Sequence, residues 1–456
     1  MKSITRYCCI AMLLFNLADV SGQTAPTSSR VLNDYIHSGL ENNLALKGKQ
    51  LNIEASYLAL REARSYYLPS ATLLGDYSGA SGGRKIQLPL GDLLNPAYKT
   101  LNQLTASNNF NMVSNQEVAF LQQRLQDTRI QITVPLINRE INYSNRIQKE
   151  ATNGIQAEIN TFKRELVRDI RVAYYTCQQA EKAIHIYKNA ESLLKENLRF
   201  TEVLLRNNIG IKSNLLSVQA QLMKNTSLQI EAENRFKIAS AYFNFLLSRP
   251  LNEEIVLAPA DPSVQIGFQA SEPQGFMKRE ELSRLNSMVI QSKLLVKKER
   301  ATGMPQIAAF FNSGMQGSGF SSNNSNKYLV GGIQLKWTLY NGTRTSIKTQ
   351  QAQNSLKIIQ AKLSETEASI EVENVAKALE LSTAIAKLNG AKSSLELSKE
   401  FYRETQLRYR QGQALALELL DSFTQLINDQ MQLEMNQTNV QIKQAEVERS
   451  AAGYTL

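Results

Sequence analysis

Glu418 and Asp421 are a pair of carboxylates whose placement raises the first chemical question. They follow a glycine in LRYRQGQALALELLDSF, Leu407 to Phe423, between two stretches that both read as helix. Spaced three apart, they share one side of a helix, where the plain reading is solvated charge on an amphipathic face. Nothing for covalent catalysis accompanies them. His37 and His185 fall in different predicted helices, and His185, in AIHIY, reads as a packed or surface helical residue. Cys177, in YYTCQQ, reads as a small, half-buried apolar side chain. There is no CxxC or HExxH pattern, no GxSxG elbow and no phosphate-binding glycine loop, and the methionines are scattered. The reading is therefore not an enzyme, with no cofactor, no metal and no bound nucleotide.

The elements that position this pair occur twice. LRNNIGIKSNLLSVQAQ, Leu205 to Gln221, carries Leu205, Arg206 and Gly210 where the later stretch has Leu407, Arg408 and Gly412. RIQITVPLIN, Arg129 to Asn138, matches GIQLKWTLYN, Gly332 to Asn341, through Ile130, Gln131, Leu136 and Asn138. Both pairs are offset by about 202 to 203 positions, which marks a duplicated unit. Pro69 in YLPSATLL matches Pro305 in GMPQIAAF with a longer offset, so one loop is larger in the first copy.

Each unit has one order. A helix leads in (Arg30 to Tyr67, then Phe276 to Ala301) and a proline stops it. Two extended segments follow, separated by a Gly/Ser/Asn-rich loop. Ile130, Ile132 and Val134 alternate with Gln131 and Thr133, and Leu329 to Trp337 alternates likewise, which is the period of a strand. A helix of roughly 70 residues, about 100 Å at 1.5 Å per residue, comes next, from about Arg139 to Asn208 and from about Thr343 to Arg410. It turns at the glycine motif and returns as a shorter helix, Ser213 to Leu247 and Leu415 to Ala451. Gly210 and Gly412 are expected at the turns, in the φ > 0 position that closes a helix. The expected domains are a first repeat over 23–250 with a loop at 79–127 and a tip at 208–212. A linker follows at 251–275, then a second repeat over 276–456 with a loop at 314–327 and a tip at 410–414.

Lys2 and Arg6, the apolar run Cys8 to Val20 and the small residues before Gln23 read as a secretory signal peptide, 1–22. Its removal leaves Cys177 as the one cysteine, so no internal disulfide is possible. No run of about 18 apolar residues follows, which leaves open a soluble exported protein or a β-barrel. The net charge of +10 is interleaved, as in KRELVRDIR and KKER, and reads as solvated helix faces rather than a nucleic-acid surface. Four one-sided strands cannot close a pore alone. Either several chains share a barrel, twelve strands for three chains, or a small soluble sheet caps a non-conducting coiled-coil scaffold. Trp337 and Tyr340, at the strand–helix junction, fit an interfacial aromatic belt.

With these features together, and above all VPLIN (Val134 to Asn138), WTLYNGTR (Trp337 to Arg344) and the tip from Arg408 to Asp421, the chain resembles the TolC family of outer-membrane factors. GRKIQLPLGDLLNPAYKTLNQL, Gly83 to Leu104, resembles the long first loop of one branch of that family. The resemblance implies a mostly α fold with a small β part. Tandem long helical hairpins would form a trimeric α-barrel tunnel in the periplasm. Four strands per chain would join a shared 12-stranded transmembrane β-barrel in the outer membrane. It implies a passive exit duct for small molecules in a tripartite efflux pump, or the duct of a type I secretion system; the sequence does not separate these. Implied partners are two further copies, outer-membrane lipid, a periplasmic adaptor (membrane fusion) protein and an inner-membrane transporter of RND or ABC type. It further implies that Glu418 and Asp421 ring the periplasmic gate, and that Tyr409 helps hold it closed. Arg206, Gly210, Arg408 and Gly412 are implied adaptor contacts. The first repeat departs from the pattern, with Leu216 and Asn207 where a polar or acidic partner and a tyrosine would match. Loop 79–127 would lie outside the cell, folded on the barrel mouth or against its neighbours.

Overall fold

The computed structural model describes residues 28–120, 124–258, 279–318 and 326–452. The expected signal peptide, most of the linker at 251–275 and the middle of the loop at 314–327 lie outside the described residues. The first repeat runs α1 (Ser28–Asn42), α2 (Leu44–Ser65), β1 (Ser70–Gly79), β2 (Lys85–Leu88), α3 (Leu90–Leu104), β3 (Gln116–Ala119), β4 (Arg124–Ile137), α4 (Arg139–Arg206) and α5 (Lys212–Leu246). The second runs α6 (Glu280–Ala301), β5 (Gln306–Gly317), β6 (Lys327–Lys336), α7 (Arg344–Arg410) and α8 (Ala416–Ser450). The fold is mostly α with a small β part.

Three expectations change. The lead-in helix of the first repeat is two helices. At the break, Asn43 turns its side chain to the Leu246 carbonyl at 2.8 Å, and the Leu44 amide donates to Ser248 Oγ at 3.0 Å. A side chain that bonds backbone outside its own helix competes with helix continuation. The long loop is not featureless, since it holds α3 and the β2–β3 pair. Trp337 falls just past β6 instead of inside it.

The chain forms two compact units, each drawing on both repeats. One holds Ala45–Phe162 and Pro273–Glu373. Its main sheet is antiparallel in the order β1-β4-β5-β6, so the hairpins of the two repeats are joined through β4 and β5. Cross-strand partners share a face. Leu73, Ile130 and Ser313 form one row, and Val134, Ala309 and Ile333 another, on an apolar side. Gln131, Asn312 and Gln334 lie on the opposite side with Arg129, which pairs with Asp76 at 3.3 Å and with Asp127. Tyr328 donates to Asp127 at 2.9 Å. The apolar side is bare in the single chain, with Leu73 and Ile333 each 72% exposed. The outer edges of β1 and β6 have no neighbour among the described residues.

The repeated asparagine of VPLIN and TLYN now has a reason. Asn138 Oδ1 accepts from the amides of Glu140 (3.0 Å) and Ile141 (3.3 Å), capping α4. Asn341 meets Thr345 at the start of α7 through its side-chain amide at 2.8 Å. Arg279, 5% exposed, binds Glu281 and Glu373, fixing the start of α6 on α7.

The other unit holds Met1–Leu44, Lys163–Glu272 and Asn374–Thr455. Tyr174 and Phe243 are fully buried beside Tyr35. Cys177 is buried with them, and burial pushes its thiol up to about 11. Charged pairs tie α8 to both long helices. Lys182 meets Glu434 at 2.6 Å, Arg449 meets Glu165 at 3.1 Å, and Arg171 meets Glu448. On the α7 side, Lys377, Glu380, Lys443 and Glu446 form a closed square of contacts between 2.8 and 3.1 Å. Burial pushes the Glu446 carboxyl up, but hydrogen bonds from Lys377 and Lys443 outweigh it and leave the pKa below the ordinary glutamate value. Hydrogen bonds from Lys443 and Lys377 lower that of Glu380.

Candidate functional site

The two tips lie in this second unit, over an apolar cluster that includes Leu194, Val218, Tyr402, Leu419 and Phe423. At the second tip α7 ends on Arg410. Gly412 takes φ +74°, its amide donates to Tyr409 O at 3.0 Å, and the Gln413 amide donates to Arg408 O at 2.8 Å. That pattern satisfies the last helical carbonyls, and only glycine adopts it without strain. Leu415 is extended and α8 begins at Ala416.

The first tip makes the same turn with different residues. Asn208, not Gly210, takes the left-handed conformation, at φ +57°. Ile209 and Gly210 both donate to Leu204 O, at 2.9 and 3.0 Å. Asparagine is one of the few residues that tolerates this conformation. The structurally equivalent pairs are therefore Arg206 with Arg410, Asn208 with Gly412 and Lys212 with Ala416, a register two positions longer than the glycine match suggests. Gly210 is small for another reason: a Cβ there would stand 2.9 Å from the Leu205 backbone nitrogen. The same shift places Asn214 and Ser217, rather than Leu216, opposite Glu418 and Asp421, and Leu205 rather than Asn207 opposite Tyr409.

Glu418 and Asp421 are both exposed, while Leu419, Leu420, Ser422 and Phe423 between and beside them are buried. Helical spacing carries the stripe on through Gln425 and Asn428, also exposed. Among the described residues, neither carboxylate is in an ion pair. Tyr409 sits elsewhere. It is 7% exposed, with its ring edge-on to Phe200 at 5.7 Å and its hydroxyl 3.4 Å from Thr201 Oγ1, so it joins α7 to α4. The structure thus brings Tyr409 into the core beneath the tip and leaves the two carboxylates on the open face. Arg206 and Arg408 are exposed. Sequence reading missed Arg410, which pairs with Glu196 of α4 at 2.5 Å on the exposed side of the same two helices.

Trp337 and Tyr340 stand exposed at the sheet–helix junction of the first unit, with Trp337 Nε1 donating to Gly303 O at 3.1 Å. Gly79 to Gly83, GASGG, has the GxSxG spacing of a hydrolase elbow, but strand β2 follows it instead of the helix that elbow requires. Among the described residues no group of histidine, cysteine or acidic side chains is arranged to hold a metal. No helix among them is long and apolar enough to cross a membrane.

Residues 291–453 match the family model for outer membrane efflux proteins. No curated protein matches the sequence. Solved structures share the fold across almost the whole chain. The outer-membrane channel OprN superposes with a TM-score of 0.76 at 14% identity, over 93% of this chain and 90% of that one. The CmeC outer membrane channel of Campylobacter jejuni gives 0.74 at 13% identity, over 98% and 94%. The outer membrane protein VceC of Vibrio cholerae gives 0.72 at 12% identity, over 92% and 96%.

Proposed function

We propose that this chain, whose residues 291–453 match the family model for outer membrane efflux proteins, is the passive outer-membrane duct of a tripartite pump exporting small molecules. The relatives in that family and fold are channels, not enzymes. The observation that carries the proposal is the main sheet: apolar on one side, polar on the other, with both edges open. Such a sheet is costly in water as a single chain. Three copies pairing β6 to β1 close it into twelve strands, turn the apolar side to lipid and leave the polar side lining a pore. The long helical hairpins continue the conduit through the periplasm.

At the tips, three copies of Glu418 and Asp421 form an acidic ring that favours cations. Tyr409 and the Arg410–Glu196 pair hold the resting arrangement of α7 on α4. A periplasmic adaptor, itself coupled to an inner-membrane transporter of RND or ABC type, contacts Arg206, Gly210, Arg408 and Gly412 and swings the hairpins outward. Native mass spectrometry of the detergent-purified mature protein tests the assembly. Three copies are expected, and a mature chain that stays monomeric and soluble without detergent contradicts the reading.

A further inference from the structure

One offset, about 204 positions, relates the two helical hairpins, because left-handed residues flank both returning helices. Asn208 and Ser248 flank α5, and Gly412 and Ala452 flank α8. In that register Lys195, Glu196, Arg199 and Arg206 recur as Lys399, Glu400, Arg403 and Arg410. The repeated charges are not used alike. Arg410 of α7 reaches across to Glu196 of α4 at 2.5 Å. Arg206, its counterpart on α4, is exposed and has no ion pair among the described residues. Glu400, the counterpart of Glu196, meets Arg403 of its own helix at 2.6 Å and, among the described residues, no cation of another helix.

The apolar residues nearby divide in the same way. Leu420 and Ile427 of α8 are buried in the cluster at the tips. Their counterparts on α5, Leu216 and Met223, are 55% and 68% exposed. Leu193 of α4 packs on that cluster, whereas its counterpart on α7, Leu397, is 74% exposed. The chain thus carries one completed contact between a first-repeat and a second-repeat hairpin. It also carries the two unmatched halves of another.

We propose that Arg206 pairs with Glu400 of an adjacent copy, and that Leu216 and Met223 join that copy's Leu397 in one cluster, so that the contact between copies at the tips repeats the contact within a chain. The proposal rests on the three-copy reading above. A cyclic assembly joins unlike faces head to tail, so first-repeat and second-repeat hairpins alternate around the ring. Each first-repeat hairpin then stands between two second-repeat hairpins, and the folded chain supplies the pattern for both boundaries. The charges are complementary, which fixes which residue meets which. An exposed pair of this kind adds little stability by itself, and burial of the leucines and the methionine supplies the rest. Arg206, read above as an adaptor contact, is then held at rest by a neighbouring copy, and the adaptor has to release it before the hairpins part.

Cross-linking tests it. Mature protein carrying Arg206→Cys/Glu400→Cys is purified, shown by native mass spectrometry to hold three copies, and treated with a short bis-maleimide. The substituted positions are exposed, so assembly should survive, and Cys177 is buried and stays in place. Glu196→Cys/Arg410→Cys calibrates the reaction by linking two positions of one chain. Arg206→Cys/Lys392→Cys is the control, with its second thiol about 12 Å further along α7. Glu400→Cys alone reports contacts between like positions. Arg206→Cys/Glu400→Cys should give two- and three-chain products on denaturing gels, several-fold more than either control. If three copies assemble but these products form no better than in the controls, the proposal falls and the duct reading stands. A link from Arg206→Cys to Glu400→Cys within one chain also overturns it. If the wild-type protein forms no three-copy assembly, both fall.

Discussion

Tyr409 and Gly412 stand three residues apart, but the chain needs each for a different reason. Gly412 is needed for its φ of +74°, since an added Cβ would meet nothing within 4 Å. Gly412→Ala should therefore cost about 1–2 kcal/mol of local stability, the strain of a left-handed residue with a side chain. Hydrogen exchange at Gln411 to Leu415 checks this, with faster opening expected there and no change in the sheet. Tyr409 is needed for its ring. Tyr409→Phe gives up only a long contact to Thr201 and should change stability little, whereas Tyr409→Ala should cost about 3–5 kcal/mol, as for a buried aromatic. Thermal unfolding of the two variants separates them, and equal losses would show that the hydroxyl, not the packing, matters. The turn at Gly412 was legible in the sequence, but the first tip was misplaced. A glycine is visible in a sequence, whereas an asparagine in a left-handed turn looks like any other polar residue.

At the scale of the elements, the long helices were legible because a loose three-four spacing of apolar residues runs on with almost no breakers. α3 was not, because Pro96 lies inside it and its leucines read as an apolar loop. The break at Asn43 was hidden too, since its cause is a side-chain bond to Leu246, distant in sequence. The pairing of α8 with α7 depends on a charge square that only the fold assembles. Glu380 and Glu446 have pKa values lowered in the folded state. Their contribution is thus present above the unfolded glutamate pKa and is lost as pH falls through the lower folded values. The protection factors of the α8 amides from Lys443 to Val447, which remove the intrinsic pH dependence of exchange, should fall on acidification below the ordinary glutamate range. In a Glu446→Gln/Glu380→Gln variant that fall should largely vanish. An unchanged pH response in that variant would assign the acid sensitivity to other groups.

At the scale of the whole molecule, the two-faced strands were legible as the alternation of Ile130 to Val134 and of Leu329 to Leu335. What the sequence hid is that β4 pairs with β5, which fuses the hairpins into one sheet with two open edges. Trp337, the single tryptophan, reports on where that sheet goes. It is exposed in the isolated chain, so its fluorescence should shift to the blue when purified protein is placed in lipid bilayers. An emission spectrum that stays water-like in lipid would remove Trp337 from the membrane interface. The central claim, a conduit with an acidic periplasmic gate, is tested most directly by planar-bilayer conductance of the three-copy assembly, wild type against Glu418→Ala/Asp421→Ala. Discrete wild-type openings, enlarged or stripped of cation preference in the variant, are predicted. A folded, lipid-inserted assembly in which neither protein conducts would contradict the conduit itself.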